Sequence, residues 1–130
     1  MKINRMVGSN VPDIRAISKV TGTMEYAADM FMPGMLYAVL IRSEYAHAIV
    51  KSIDVSEALK VPGVEVIVSY KDFPELRFGT YVYDQRAFTD RPRFVGDPIA
   101  AVAADTLAAA EEAARLVKIE YEKLPAVLNP

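Results

Sequence analysis

One hundred and thirty residues amount to about one domain, and 52% apolar with 25% charged residues is the mixture of an ordinary globular chain with a real core. Cysteine is absent and histidine occurs once, which excludes disulfides, thiolate zinc sites, iron–sulfur ligation, a cysteine nucleophile and a histidine-rich metal site in this chain. Fifteen basic against seventeen acidic residues leave a net charge of −2, so there is no electrostatic reason to bind nucleic acid or an anionic membrane.

The longest apolar runs, Met35 to Ile41 and Pro98 to Ala104, are seven residues each. A membrane helix needs about twenty. Lys2 and Arg5 are not followed by an apolar segment of signal-peptide type, so the cytoplasm is the expected compartment.

Residues 1–25 are polar and broken by Gly8, Pro12 and Gly22, and read as an extended lead-in with turns to a single domain over 1–130. After the Pro33-Gly34 turn, Met35 to Ile41 reads as a strand covered on both faces. Ala48 to Ile53 is a second strand. Asp54 or Ser56 can cap a short helix through Glu57 to Lys60, which Pro62-Gly63 stops. Val64 to Val68 is a third strand by its β-branched content. Residues 70–93 hold most of the loop, with one possible helical turn at Lys71 to Pro74 and a short strand within Tyr81 to Asp90.

The clearest unit comes last. Ile99 to Ala103 reads as a strand, and Asp105 or Thr106 caps a helix to about Leu116. Nine of the fifteen residues from 100 to 114 are alanine, which favours helix once the strand ends. Leu107, Ala110, Ala114 and Val117 fall on one helical face. Val117, Ile119 and Tyr121 then alternate with charged residues, the period of a half-buried strand. The expected fold is α+β: a mixed sheet with two strand–helix–strand units, 48–68 and 99–122, and one main alanine-rich helix.

Catalytic constellations are thin. His47 has no partner carboxylate at a spacing that fixes geometry, and a structural or interface role suits it better than catalysis. Ser43 and Ser69 lack a nucleophile-elbow context. Glu111 and Glu112 are adjacent on the helix and point in different directions. No glycine-rich phosphate cradle occurs. No catalytic, cofactor-binding or metal-ligating residue is therefore assigned. Two groups suit a protein partner: the methionines Met24, Met30, Met32 and Met35, which pack adaptably, and the basic cluster Arg86, Arg91 and Arg93, suited to oxyanion contacts.

A run of motifs carries a family resemblance. It begins with Lys19-Val20-Thr21-Gly22, Tyr26-Ala27-Ala28-Asp29 and Met32-Pro33-Gly34-Met35-Leu36-Tyr37-Ala38. It continues through Arg42-Ser43, Ala46-His47-Ala48 and Pro62-Gly63-Val64 to Arg93-Phe94-Val95-Gly96-Asp97-Pro98-Ile99, and ends with Val117 to Glu122 and Leu124-Pro125-Ala126-Val127. In order and spacing this resembles the N-terminal α/β hammerhead domain of the molybdenum-binding subunit of the xanthine dehydrogenase and aldehyde oxidase family. Two motifs depart from it: Glu44-Tyr45-Ala46-His47 stands where the family often has Pro-His-Ala-His, and Gly96-Asp97-Pro98 where it often has Gly-Glu-Pro.

The resemblance implies a structural and interface domain of a molybdenum hydroxylase. It implies that molybdenum–molybdopterin sits in the remainder of the subunit, and iron–sulfur clusters and FAD in partner domains or subunits. This chain would itself bind no cofactor and would not be catalytic in isolation. The alternative is a free-standing ligand- or protein-binding module without enzymatic activity.

Overall fold

Small side chains decide where the core forms. The computed structural model describes residues 8–73 and 77–129, so the expectations that involve Met1, Lys2, Arg5, Met6 and Pro74 lie outside the described residues. The chain divides into two units, Met1–Pro33 and Gly34–Pro130.

In the first unit, α1 spans Ala16–Val20. The lead-in read as extended thus contains one helical turn. Asp13 explains its start: Oδ1 accepts from the Arg15 amide at 2.9 Å. The Ser18 and Thr21 hydroxyls donate to Arg15 and Ile17 carbonyls, and Gly22, at φ +69°, follows the end. A three-residue 3-10 turn follows at Ala27–Asp29. None of α1 is buried.

The second unit holds β1 (Tyr37–Arg42), β2 (Ala48–Asp54), a 3-10 turn at Ala58–Lys60, β3 (Val64–Ser69), β4 (Pro98–Ala104), α2 (Leu107–Leu116) and β5 (Lys118–Lys123). β4 lies between β1 and β3, antiparallel to both, and β2 pairs antiparallel with β5 in a separate sheet. The α+β class stands, but the strands form two antiparallel sheets instead of one mixed sheet. The reason is geometric. Only about nine residues join β2 to β3, short of the dozen or more that a parallel crossover takes. β4 already has a neighbour on each edge, so β5 must pair elsewhere.

β4 is the doubly covered strand: Ile99, Ala100, Val102 and Ala104 are fully buried. β1, read as covered on both faces, alternates between half-buried and exposed. It is an edge strand, with only one face packed. Val39, Val102 and Ile67 form one row across the sheet. Beneath it Ala58, Val61, Val102 and Ala113 make the core, with Ile41, Val64, Ala109, Ala114 and Val117 packed around them. Thr106 caps α2, its side chain accepting from the Ala109 amide at 3.2 Å. The helix buries Ala110 and Ala113, while Leu107, expected on the inner face, is exposed. Ala110, Ala114 and Val117 keep to the inner face as expected, and only Leu107, the first residue of the helix, departs from it.

The resemblance motifs Arg42-Ser43 and Gly96-Asp97 turn out to clasp each other. The Ser43 amide donates to Asp97 O at 2.9 Å and the Gly96 amide to Ser43 O at 2.8 Å. Arg42 Nη1 donates to Gly96 O at 2.9 Å. Ser43 and Asp97 are buried, and the Asp97 carboxylate accepts from the Arg93 amide at 3.0 Å. These residues fold the loop; Asp97 in place of glutamate keeps the acceptor.

Candidate interface site

Residues 77–98 leave the end of the sheet as a charged loop and fold back on themselves. Phe78 and Gln85 exchange backbone hydrogen bonds at 2.9 and 3.1 Å, closing a small hairpin around Gly79 to Asp84. Gly79 is required there: a Cβ would collide with the Val82 carbonyl. The tip holds Tyr81 at 96% and Tyr83 at 71% exposure, with Val82 also exposed. Phe88 turns inward, edge-on to Phe73 at 5.1 Å between ring centroids.

The Asp90 and Pro92 carbonyls accept from the Val50 and Ala48 amides, tying the end of the loop to the outer edge of β2. An open groove of about 720 Å³ lies along the loop, lined by Arg77, Arg86, Arg91 and Arg93, by Asp84, Asp90 and Asp97, and by Phe78 and Phe94 among others. The three sequence-selected arginines therefore do come together. Two of them meet acids of their own loop: Arg86 pairs with Asp90 at 3.4 Å and Arg93 with Asp84 at 2.9 Å. Such half-exposed pairs are each worth about 0–1 kcal/mol and chiefly hold the loop's shape. Arg91 and Arg77 have no ion pair among the described residues. Arg77 was missed in the sequence. Its only signal is its place in the same loop as the other three.

The methionines lie apart in the chain's division. Met24, Met30 and Met32 belong to the first unit and Met35 to the second. Met24 is half-buried; Met30, Met32 and Met35 are exposed, as is Phe31 beside them. Sequence reasoning also passed over α1 and the turn that leads into it, where Ile14 at 97%, Ile17 at 78% and Val20 at 88% exposure repeat every third residue.

His47 is spent on structure. Its Nδ1 donates to Pro125 O at 2.7 Å, and its carbonyl accepts from the Leu124 amide, extending the β2–β5 ladder. Beside it, Tyr45 meets Tyr121 edge-on at 5.0 Å and carries Lys123 Nζ over its ring at 4.3 Å. Burial, then the nearby Glu44 carboxylate, push the Tyr121 phenol up from its ordinary value. Asp54 and Asp72 lie lower than ordinary carboxyls because the Ser56 and Ser69 amides and hydroxyls donate to them. Among the described residues no three His, Asp or Glu side chains converge as a metal site. The sequence has no thiolate and His47 Nδ1 is engaged with Pro125 O, so no step through a metal centre is assigned to the described residues. Among the described residues, no helix is long and apolar enough to cross a membrane.

A two-sheet domain with one alanine-packed helix and a clasped loop is an α/β hammerhead in architecture. The model of the aldehyde oxidase and xanthine dehydrogenase α/β hammerhead domain matches residues 21–125, and the chain belongs to that family. It is 46% identical over 121 residues to a probable xanthine dehydrogenase subunit of Bacillus subtilis, covering 92% of this chain and 16% of that protein. It is 38% identical to the nicotinate dehydrogenase large molybdopterin subunit of Eubacterium barkeri, covering 96% of this chain and 30% of that one. The solved quinoline 2-oxidoreductase of Pseudomonas putida 86 superposes with a TM-score of 0.80 at 38% identity, over 92% of this chain and 16% of its own. The chain thus spans less than a third of these relatives.

Proposed function

We propose that this chain is the structural and interface domain of a molybdenum hydroxylase of the xanthine dehydrogenase and aldehyde oxidase type. The observation that carries this is the asymmetry of the match: 92% of the chain corresponds to 16% of a probable xanthine dehydrogenase subunit. On this reading residues 1–130 contribute one hammerhead domain with its lead-in. The domain packs against a molybdopterin-binding remainder, and iron–sulfur and FAD components complete the electron path. The chemistry belongs to that remainder, and the chain alone turns over no substrate. The assembly works in the cytoplasm.

The surface supports the reading. Ile14, Ile17 and Val20 in one unit and Tyr81 and Tyr83 in the other are exposed apolar or aromatic side chains that a partner surface would cover. Contact with the remainder through Met24, Met30, Met32, Met35 and the groove arginines would cover part of it.

The test is affinity purification of the tagged chain from its source cell, with molybdenum assayed in the eluate. Recovery with a molybdopterin-binding polypeptide and stoichiometric molybdenum is expected. A monodisperse chain recovered alone and free of molybdenum would favour the free-standing module.

A further inference from the structure

The groove of residues 77–98 divides its charges unevenly. Arg86 and Arg93 face Asp90 and Asp84 within the loop, and Asp97 holds the Arg93 amide. Arg77 and Arg91 line the same groove without an ion pair among the described residues. Among the described residues, four arginines line the groove against three aspartates, on a chain of net charge −2. Phe78 and Phe94 add exposed apolar surface beside these charges.

We propose that this groove is a socket for a carboxylate-bearing segment of the molybdopterin-binding polypeptide, with Arg77 and Arg91 as its anion-binding residues. The proposal rests on the function proposed above, since it names how that partner is held. A guanidinium matches a carboxylate through two parallel N–H···O bonds. The paired arginines, Arg86 and Arg93, are already neutralised and act as scaffold. The phenylalanines suit the apolar neighbours of an acidic side chain at an interface, where aromatic and arginine residues carry most of the energy. Nucleic acid is a poor occupant for a chain whose net charge is −2.

Two measurements test this. In the first, the chain is titrated with a capped Leu-Glu-Leu-Glu-Leu peptide, its Gln-for-Glu counterpart and sodium phosphate, read by NMR at the arginine Nε–Hε signals. The acidic peptide is expected to move Arg77 and Arg91 more than Arg86 and Arg93. The Arg77→Ala/Arg91→Ala double variant, checked for folding by circular dichroism, should bind about tenfold more weakly. Equal binding of the Gln peptide, equal shifts at all four arginines, no loss in the double variant, or stronger competition by phosphate would each overturn the carboxylate socket. In the second, the double variant is purified from the source cell beside the wild type. Wild-type recovery of the molybdopterin polypeptide with reduced recovery by the variant supports the socket. Equal recovery by both sinks the socket and leaves the proposed function standing. No recovery by the wild type sinks the proposed function itself, and with it the named partner.

Discussion

The sheet of β1, β4 and β3 under α2 and the charged loop of residues 77–98 are built on opposite principles. The first buries alanine, valine and isoleucine until β4 has almost no surface left. The second leaves Tyr81 and Tyr83 in solvent and binds itself together through ion pairs and a two-residue bridge. A core of small side chains gives a rigid body; a loop held by exposed polar links gives a shaped surface at little cost to the body. Substitutions should separate the two. Changes in the first should lower global stability, and changes in the second should alter local protection and recognition.

The largest effect is expected from Ile99→Ala. Ile99 is among the largest fully buried side chains, and its truncation should cost about 3 kcal/mol, measured by urea unfolding. Thr106→Ala removes the cap of α2 and should cost about 1 kcal/mol in the same measurement.

A smaller effect is tied to pH. The Tyr121 phenol is raised in the folded chain, so folding holds its proton more tightly than the unfolded chain does. That contribution is complete below the ordinary tyrosine range and falls away as pH rises through the folded value. Denaturation midpoints should therefore drop more steeply above pH 10, the ordinary tyrosine value, in the wild type than in Tyr121→Phe. Equal slopes would remove Tyr121 from the account. The smallest global effect is expected from Gly79→Ala. Its Cβ would drive the tip backbone away from the Val82 carbonyl, so the Phe78 and Gln85 amides should exchange faster while the unfolding midpoint stays nearly constant. A large fall in midpoint would mean that the hairpin is part of the core.

The same contrast explains what could be read in advance. The five main expected strands are present within a residue or two of their limits, because β-branched content, alternation and Pro-Gly turns act locally; the short strand expected within Tyr81 to Asp90 is instead a single bridge residue, Gln85, pairing with Phe78. The alanine run from 100 to 114 split correctly into strand and helix at Asp105-Thr106, where a capping side chain competes with the strand. Which strands pair was not legible, since β2 meets β5 across some seventy residues of intervening sequence. The loop was least legible. Its shape depends on Arg93 reaching Asp84 and on the Gly79 approach to Val82, neither of which leaves a periodic trace. Three of the groove's arginines could be picked by their spacing, but not which of them lacked a counter-charge. The exposed α1 stripe was hidden because five residues are too few to show a helical period against a polar background.

The central claim is that this body exists to be covered. Hydrogen–deuterium exchange on the chain alone and in the complex recovered from its source cell tests it most directly. The account predicts protection in the complex at the Tyr81 to Tyr83 tip and along Ile14 to Val20, with little change at β4, already protected by burial. Unchanged exchange at both exposed segments, in a complex that contains molybdenum, would contradict it.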